Sequence, residues 1–324
     1  MAEARLAAED LVVTYPVPGG RTLTAVDGVS LRVGAGEVLG LVGESGCGKT
    51  TVARCLAGFL APGSGTVTLD GIQLGGRRTS AQRRAVQMVF QDPYSSLNPR
   101  LTVRALLREL LTVHQLVPRA EVEGRCRELM SLVGLPAAAL DGLPSQFSGG
   151  QRQRIAIARA LAVEPAVLIA DEPVSALDVS VQATILRLFA ELRDRLGLTI
   201  VIISHNLAVV RHLSDHVAVM YLGRVVEEGT RDELFASVRH PYARALLAAA
   251  PRLHQRGLTR PGVRGEPPSP VDLPDGCRFH PRCPLAAEIC RIEDPAPRPV
   301  RPGSSHIVAC HFGADPAPAD SPAG

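Results

Sequence analysis

Apolar and polar positions fall in blocks along this chain. Residues 38–42, 167–170 and 199–203 are short, almost wholly apolar runs. They are too short for buried helices, and their length predicts strands covered on both faces, as in a parallel sheet. Polar residues follow each run. A glycine-rich stretch (43–50) follows the first, Asp171 and Glu172 the second, and Ser204 and His205 the third. In open α/β sheets, ligands bind at the C-terminal strand ends. The pattern thus predicts an α/β fold with its chemistry gathered along one edge of one sheet.

Between residues 92 and 163 the spacing becomes mostly helical, punctuated by Pro93, Pro99, Pro118, Pro136 and Pro144. This predicts a helical subdomain inserted into the sheet. Of 26 prolines, 15 lie from Pro251 onward. The expected organisation is an α/β domain over 1–240, a loop-rich segment over 241–313 and a disordered tail over 314–324.

Composition narrows the function. The chain has 324 residues and a formal net charge of +3, which does not suggest a nucleic-acid binder driven by phosphate contacts. Trp is absent and aromatics make up 3%, too few for a base-stacking platform. No apolar run approaches the roughly 18–20 residues of a membrane span. Residues 1–10 carry Glu3, Glu9 and Asp10 and lack the pattern of a signal peptide. The protein is expected in the cytosol, with any membrane contact made through partners.

The 35 basic side chains comprise 34 arginines and one lysine. That lysine, Lys49, closes Gly43-Glu44-Ser45-Gly46-Cys47-Gly48-Lys49-Thr50, the phosphate-loop pattern G-x-x-x-x-G-K-[ST]. An ammonium enters such a loop as a compact point charge, which a planar guanidinium fork cannot do. Glycines let successive N–H groups turn toward phosphates, and the following helix adds its positive end. Thr50 offers a hydroxyl to Mg²⁺. Asp171 can hold the same ion, and Glu172 can polarise an attacking water. An acidic turn alone is commonplace; beside a phosphate loop it reads as phosphoryl-transfer chemistry. Phe147-Ser148-Gly149-Gly150-Gln151 opens a strongly helical stretch. With Ser148 as N-cap it is a second anion-binding helix start, useful if it closes over another chain's nucleotide.

Together these segments resemble the ATP-binding subunits of ABC transporters over about residues 5–240. Ser148-Gly149-Gly150-Gln151 matches the family signature, with Phe147 where Leu is commoner and Gln146 where relatives often carry Glu. Gln91 matches the Q-loop, Asp178 in Ser175-Ala176-Leu177-Asp178 the D-loop, His205 the switch histidine, and Tyr15 the aromatic that stacks on adenine. The resemblance implies that Gly43, Ser45, Gly46, Cys47, Gly48, Lys49, Thr50 and Thr51 hold phosphates. Thr50, Gln91 and Asp171 would hold Mg²⁺. Glu172 would be the general base and His205 the γ-phosphate contact. Ser148, Gly149, Gly150 and Gln151 would serve the partner's nucleotide. Gln146 puts a transmitter contact in question, not catalysis.

The segment 87–99, with His240-Pro241-Tyr242 and Gly276-Cys277-Arg278-Phe279-His280-Pro281-Arg282-Cys283-Pro284, resembles the oligopeptide/dipeptide importers, and most closely their second ATPase subunit. That implies a peripheral protein on the cytoplasmic face of a bacterial inner membrane. Its implied partners are a homologous ATPase, two permease subunits and, indirectly, an external binding protein. Cys277, Cys283, Cys290 and Cys310 have spacing C-x5-C-x6-C-x19-C. Four thiolates can hold a 4Fe-4S cluster or zinc, and free thiols are the third reading. The resemblance favours the cluster. His280 and His311 read as solvated loop residues.

Cys47, at a helix N-terminus, is either a reactive thiol whose alkylation blocks ATP or an inert buried one. Arg77, Arg78, Arg83 and Arg84 read as a solvated basic loop. The rival functions are a soluble ABC ATPase of DNA repair or translation, an exporter ATPase, and a nucleotide-gated module with negligible turnover. The chain lacks the tandem cassettes, long coiled-coil insertions and basic patches usual in the first rival.

Overall fold

The computed structural model describes residues 4–92, 96–249 and 265–313. Two sheets organise it. Strands β1 (Ala4–Val17) and β2 (Arg21–Gly34) form a long antiparallel hairpin, joined by β4 (Ser64–Leu69) and β5 (Ile72–Gln73) in the order β2-β1-β4-β5. The second sheet contains β3 (Val38–Val42), β6 (Val86–Val89), β7 (Val167–Asp171), β8 (Thr199–Ser204), β9 (His216–Tyr221), β10 (Arg224–Thr230), β11 (Arg298–Pro299) and β12 (Ile307–Val308). Its order is β11-β12-β10-β9-β3-β8-β7-β6, and the stretch from β9 to β6 is parallel.

The apolar runs become β3, β7 and β8, and their alternation explains the lack of polar positions. Val38, Leu168, Ala170, Ile200 and Ile202 face one core, whereas Leu39, Leu41, Ile169, Val201 and Ile203 face another. Successive side chains point to opposite faces, so a strand covered twice reads as continuously apolar. The first core is closed by α3 (Val103–Val113), α4 (Val122–Leu132), α5 (Gly149–Leu161) and α6 (Val179–Leu196), with Leu107, Leu129 and Phe189 buried. The helices α3, α4 and α5 lie in the span expected to be helical. The second core packs the two sheets around α1 (Lys49–Ala57), through Leu11, Val26 and Val52.

One expectation about the surface is overturned. Arg78 does not sit in a solvated loop, being only 8% exposed. Its guanidinium donates to the Cys55 carbonyl at 2.9 Å, beside the C-cap Gly58. Arg77, Arg83 and Arg84 flank α2 (Ser80–Ala85) or lie within it.

The C-terminal segment is loop-rich, and it is also sewn onto the main sheet. Strand β12 pairs antiparallel with β10, Val308 opposite Glu227 and Ile307 opposite Glu228. Buried Glu227 accepts the Arg239 N–H at 2.7 Å and the His240 N–H at 2.9 Å, and its carboxylate lies 2.7 Å from His306 Nε2. Tyr221, Tyr242, Phe279 and His240 form an aromatic cluster, the Tyr221 and Tyr242 centroids lying 4.6 Å apart. Such ring pairs add about 0.5–1.5 kcal/mol each beyond the area they bury. Arg278 pairs with Asp27 of the first sheet. The expected disordered tail, 314–324, lies outside the described residues.

His240 gives this junction a pH signature. It stands before α7 (Pro241–Ala249), where its Nδ1 accepts the Tyr242 N–H at 3.1 Å. Burial pushes its pKa from 6.5 down to about 3. Folded His240 stays neutral while the unfolded chain takes up a proton below about pH 6.5, so stability falls as pH drops toward 3. His240→Asn keeps an acceptor for the helix start and removes the titration. Urea unfolding at pH 7 and pH 5 is expected to show wild type losing about 2 kcal/mol more than this variant. Equal losses would contradict a neutral buried imidazole.

Candidate functional site

The strand β3 ends in Val42, and the chain then wraps tightly before α1 begins at Lys49. Gly48 is the N-cap, with φ 106°, a left-handed conformation that strains any residue with a Cβ. A side chain there would also run into the Ala25 carbonyl, and one at Gly43 into the Met220 carbonyl. Lys49 is only 4% exposed. Its Nζ donates to the Gly43 carbonyl at 2.7 Å and the Glu44 carbonyl at 2.8 Å. Among the described residues no carboxylate pairs with it. A buried ammonium held by carbonyl dipoles at a helix N-terminus is a site for a multiply charged anion.

That anion has room. A cavity of about 420 Å³ is lined by Tyr15, Ser45, Gly46, Gly48, Lys49, Thr50, Thr51, Gln91 and Glu172, among others. Strand β1 continues through Pro16, so the proline does not turn Tyr15 away. Gly43, Cys47 and Asp171 are not among the residues that line it. The Thr50 hydroxyl donates to Asp171 Oδ1 at 3.2 Å. Burial pushes the Asp171 carboxyl above the usual range, and the neighbouring Glu172 adds to this against the Thr50 bond. A buried carboxylate paired to the hydroxyl of the cavity-lining Thr50 is a donor set that fits a divalent cation.

Glu172 has φ 45°, an uncommon conformation for a non-glycine residue. Its N–H donates to the Ile203 carbonyl at 3.0 Å, which ties it to β8. Its Oε2 lies 3.0 Å from His205 Nδ1 and accepts from Gln91 Nε2 at 3.4 Å. Gln91 also reaches Ser175 Oγ at 3.3 Å. Glu172, Gln91 and His205 come from three separate strand ends and converge on one carboxylate.

The other group lies elsewhere. Ser148 caps α5, its Oγ accepting the Gln151 N–H at 3.3 Å while Gln151 Oε1 accepts the Ser148 N–H at 2.9 Å. Ser148 and Gln151 are exposed, Gly149 abuts Leu177 and Gly150 abuts Val181. None of them lines the 420 Å³ cavity. Asp178, exposed at the start of α6, is also outside it. Gln146 is used locally, its Oε1 accepting the Leu143 N–H at 2.7 Å.

Residues not anticipated from sequence complete the cavity. Leu23, Thr24 and Ala25 come from β2, Leu222 and Gly223 from the β9–β10 turn, and Pro270 from the C-terminal segment. Their signal is topological, because only the folded hairpin brings them to the loop. A larger cavity of about 510 Å³ lies between β10 and the cysteine segment. Its cations Arg224 and Arg278 are engaged by Asp27 and Asp294, so it offers no comparable anion site.

The four late cysteines are gathered. Cys290 and Cys310 are buried, and Cys277 and Cys283 half-buried. Burial pushes Cys283 up to about 11, with the other three thiols adding to the shift. Backbone N–H groups of Phe279 and His280 point to Cys277, that of Leu285 to Cys283, and those of Phe312 and Gly313 to Cys310. Among the described residues, however, no group of three or more His, Cys, Asp or Glu is arranged to hold a metal ion.

Comparison with known proteins agrees with this geometry. Residues 26–175 match the family described as ABC transporter, and residues 226–290 the oligopeptide/dipeptide transporter C-terminal region. A probable peptide ABC transporter ATP-binding protein of Sinorhizobium fredii is 48% identical, covering 98% of this chain and 93% of its own. The di/tripeptide transport ATP-binding protein DppF of Pseudomonas aeruginosa is 46% identical over 95% of this chain and 98% of its own. Among solved structures, cbiO1 of Clostridium perfringens, part of an ABC transporter complex, superposes with TM-score 0.65 at 30% identity, covering 76% of this chain and 96% of its own. A dimeric ATP-binding cassette with ADP and Pi gives 0.62 at 29% identity, covering 70% of this chain and 98% of its own.

Cys47 illustrates how burial overrides a local rule. Its helix-terminal position suggested a reactive thiol, but it is 4% exposed. Burial pushes its pKa up, outweighing the lowering by Lys49 at 3.8 Å. Brief alkylation of folded protein at pH 8, read by peptide mass spectrometry, is expected to leave Cys47 unmodified until denaturant is added. Labelling at the rate of an exposed thiol would show the loop to be open.

Proposed function

The chain belongs to the ATP-binding subunits of ABC transporters, and from that premise we propose that it is the ATP-hydrolysing motor of a bacterial peptide importer. The observation that carries this reading is the convergence of Glu172, Gln91 and His205 at the end of the cavity opened by Lys49. The relatives named for peptide and di/tripeptide transport favour import of peptides over export or DNA repair.

In this reading the triphosphate lies along residues 45–51, with its γ-phosphate toward Glu172 and His205 and its base toward Tyr15. Mg²⁺, held by Thr50, Asp171 and Gln91, would neutralise charge on the β- and γ-phosphates. Glu172 accepts a proton from the attacking water, and its fixed backbone, tied to Ile203, keeps the carboxylate aimed. Gln91 and His205 both bond that carboxylate, so each reports the presence of the γ-phosphate to it. Ser148 faces solvent at the start of this helix, where it would close over the nucleotide of a homologous sister chain, while that chain's own signature completes this site. Asp178 would face the sister chain during closure.

No helix among the described residues is long and apolar enough to cross a membrane. Membrane association is therefore assigned to two permease subunits, with an external binding protein delivering cargo to them. A groove of about 340 Å³ between the sheet and α5, near Gln91, is lined by Phe59, Phe90, Arg83 and Arg159. Phe59 is 64% exposed there, an apolar anchor of the kind a docked helix would cover. The gathered thiols and their N–H donors support a 4Fe-4S cluster, with zinc as the alternative.

Glu172→Gln keeps the shape of the site and removes the base. In the assembled transporter it is expected to bind ATP normally and lose turnover by on the order of 10²–10⁴-fold. Undiminished turnover would remove Glu172 from its role, and negligible turnover in wild type would favour a nucleotide-gated regulatory module. Anaerobically purified protein is expected to contain equimolar iron and acid-labile sulfide. Zinc without sulfide would select the alternative ion.

A further inference from the structure

Glu44 is an anomaly. It places a carboxylate inside a loop built to receive phosphates, where like charges repel. The structure shows how that charge is managed. Arg282, from the C-terminal segment, grips both carboxylate oxygens, Nη1 to Oε2 at 2.7 Å and Nη2 to Oε1 at 3.0 Å. The Arg282 side chain is 5% exposed and that of Glu44 25% exposed, so the pair is largely removed from solvent. A bidentate pair of this kind fixes direction as well as neutralising charge.

The remaining polar groups of Glu44 are tied as well. Its backbone N–H donates to Tyr242 Oη at 2.8 Å, and its carbonyl accepts from Lys49 Nζ at 2.8 Å. Two of these attachments come from residues beyond 240, and the third is the phosphate-binding lysine itself. Arg282 is fixed in turn, donating to the Gly265 carbonyl at 2.9 Å and reaching the Tyr221 hydroxyl at 3.4 Å. The same segment contributes Pro270 to the cavity wall and sends Arg278 to the Leu222 carbonyl, in the turn that lines the cavity.

We propose that Arg282 is a positioning residue for nucleotide binding: by clamping Glu44 it turns that carboxylate away from the phosphates and holds the Glu44 carbonyl where it orients Lys49. The C-terminal segment is then a working wall of the ATP site. This rests on the reading that residues 43–50 bind ATP.

The test uses the full-length chain for affinity toward a fluorescent ATP analogue, and the assembled transporter for the ATPase KM and kcat. Arg282→Gln is expected to weaken binding and raise KM on the order of tenfold, with a much smaller change in kcat. Arg282→Lys, which keeps the charge and loses the fork, is expected to fall between the two. Glu44→Gln removes the repulsive charge together with its clamp. In that background Arg282→Gln is expected to have little further effect on KM, because the two side chains act as one unit. Full independence of the two substitutions, or a fall in kcat and melting temperature with KM unchanged, would overturn the proposal and leave Arg282 a purely structural residue. Lys49→Ala separates the premises: if it binds the analogue as wild type does, the phosphate-loop reading fails, whatever Arg282 does.

Discussion

A buried ammonium with no carboxylate partner among the described residues is the constraint around which this molecule is built. Lys49 is held by two loop carbonyls and sits at the first turn of a helix. An uncompensated buried cation is costly, and the cost is tolerable where an anion arrives to meet it. The loop is closely backed, because a side chain at Gly43 or Gly48 would run into the carbonyls of Met220 and Ala25. The sheet, the hairpin and the C-terminal segment each supply one side of this enclosure.

The convergence of Glu172, Gln91 and His205 follows from the parallel sheet. Adjacent strands end at Asp171 and Ser204, and β6 ends at Val89, two residues before Gln91. Glu172, Gln91 and His205 therefore arrive at one point without a long loop to place them. The helix that opens at Ser148 begins away from this cavity, with Ser148 capped and exposed. The proposed closure of two chains would give this reciprocal capping box its use.

Much of this was legible in the sequence, for local reasons. The strands β3, β7 and β8 read clearly because both faces are covered and no polar position interrupts them. The phosphate loop read clearly because its geometry is encoded within eight consecutive residues. What escaped was non-local or decided by burial. Glu44 and Arg282 are 238 residues apart, and nothing in the sequence pairs them until the chain folds. Strand β12 has two residues, too few for any alternation to register. Arg78 and Cys47 were read from their neighbours in sequence, and burial set the behaviour of both.

The most direct test of the account is where a trapped γ-phosphate analogue touches the chain. Orthovanadate, held with ADP in the assembled transporter and irradiated, cleaves the backbone it contacts. The account predicts cuts in this chain at the phosphate loop around Lys49 and at the capped helix start around Ser148, the second only when the sister ATPase is present. Cleavage confined to segments outside both, or at Ser148 in the isolated chain, would contradict it.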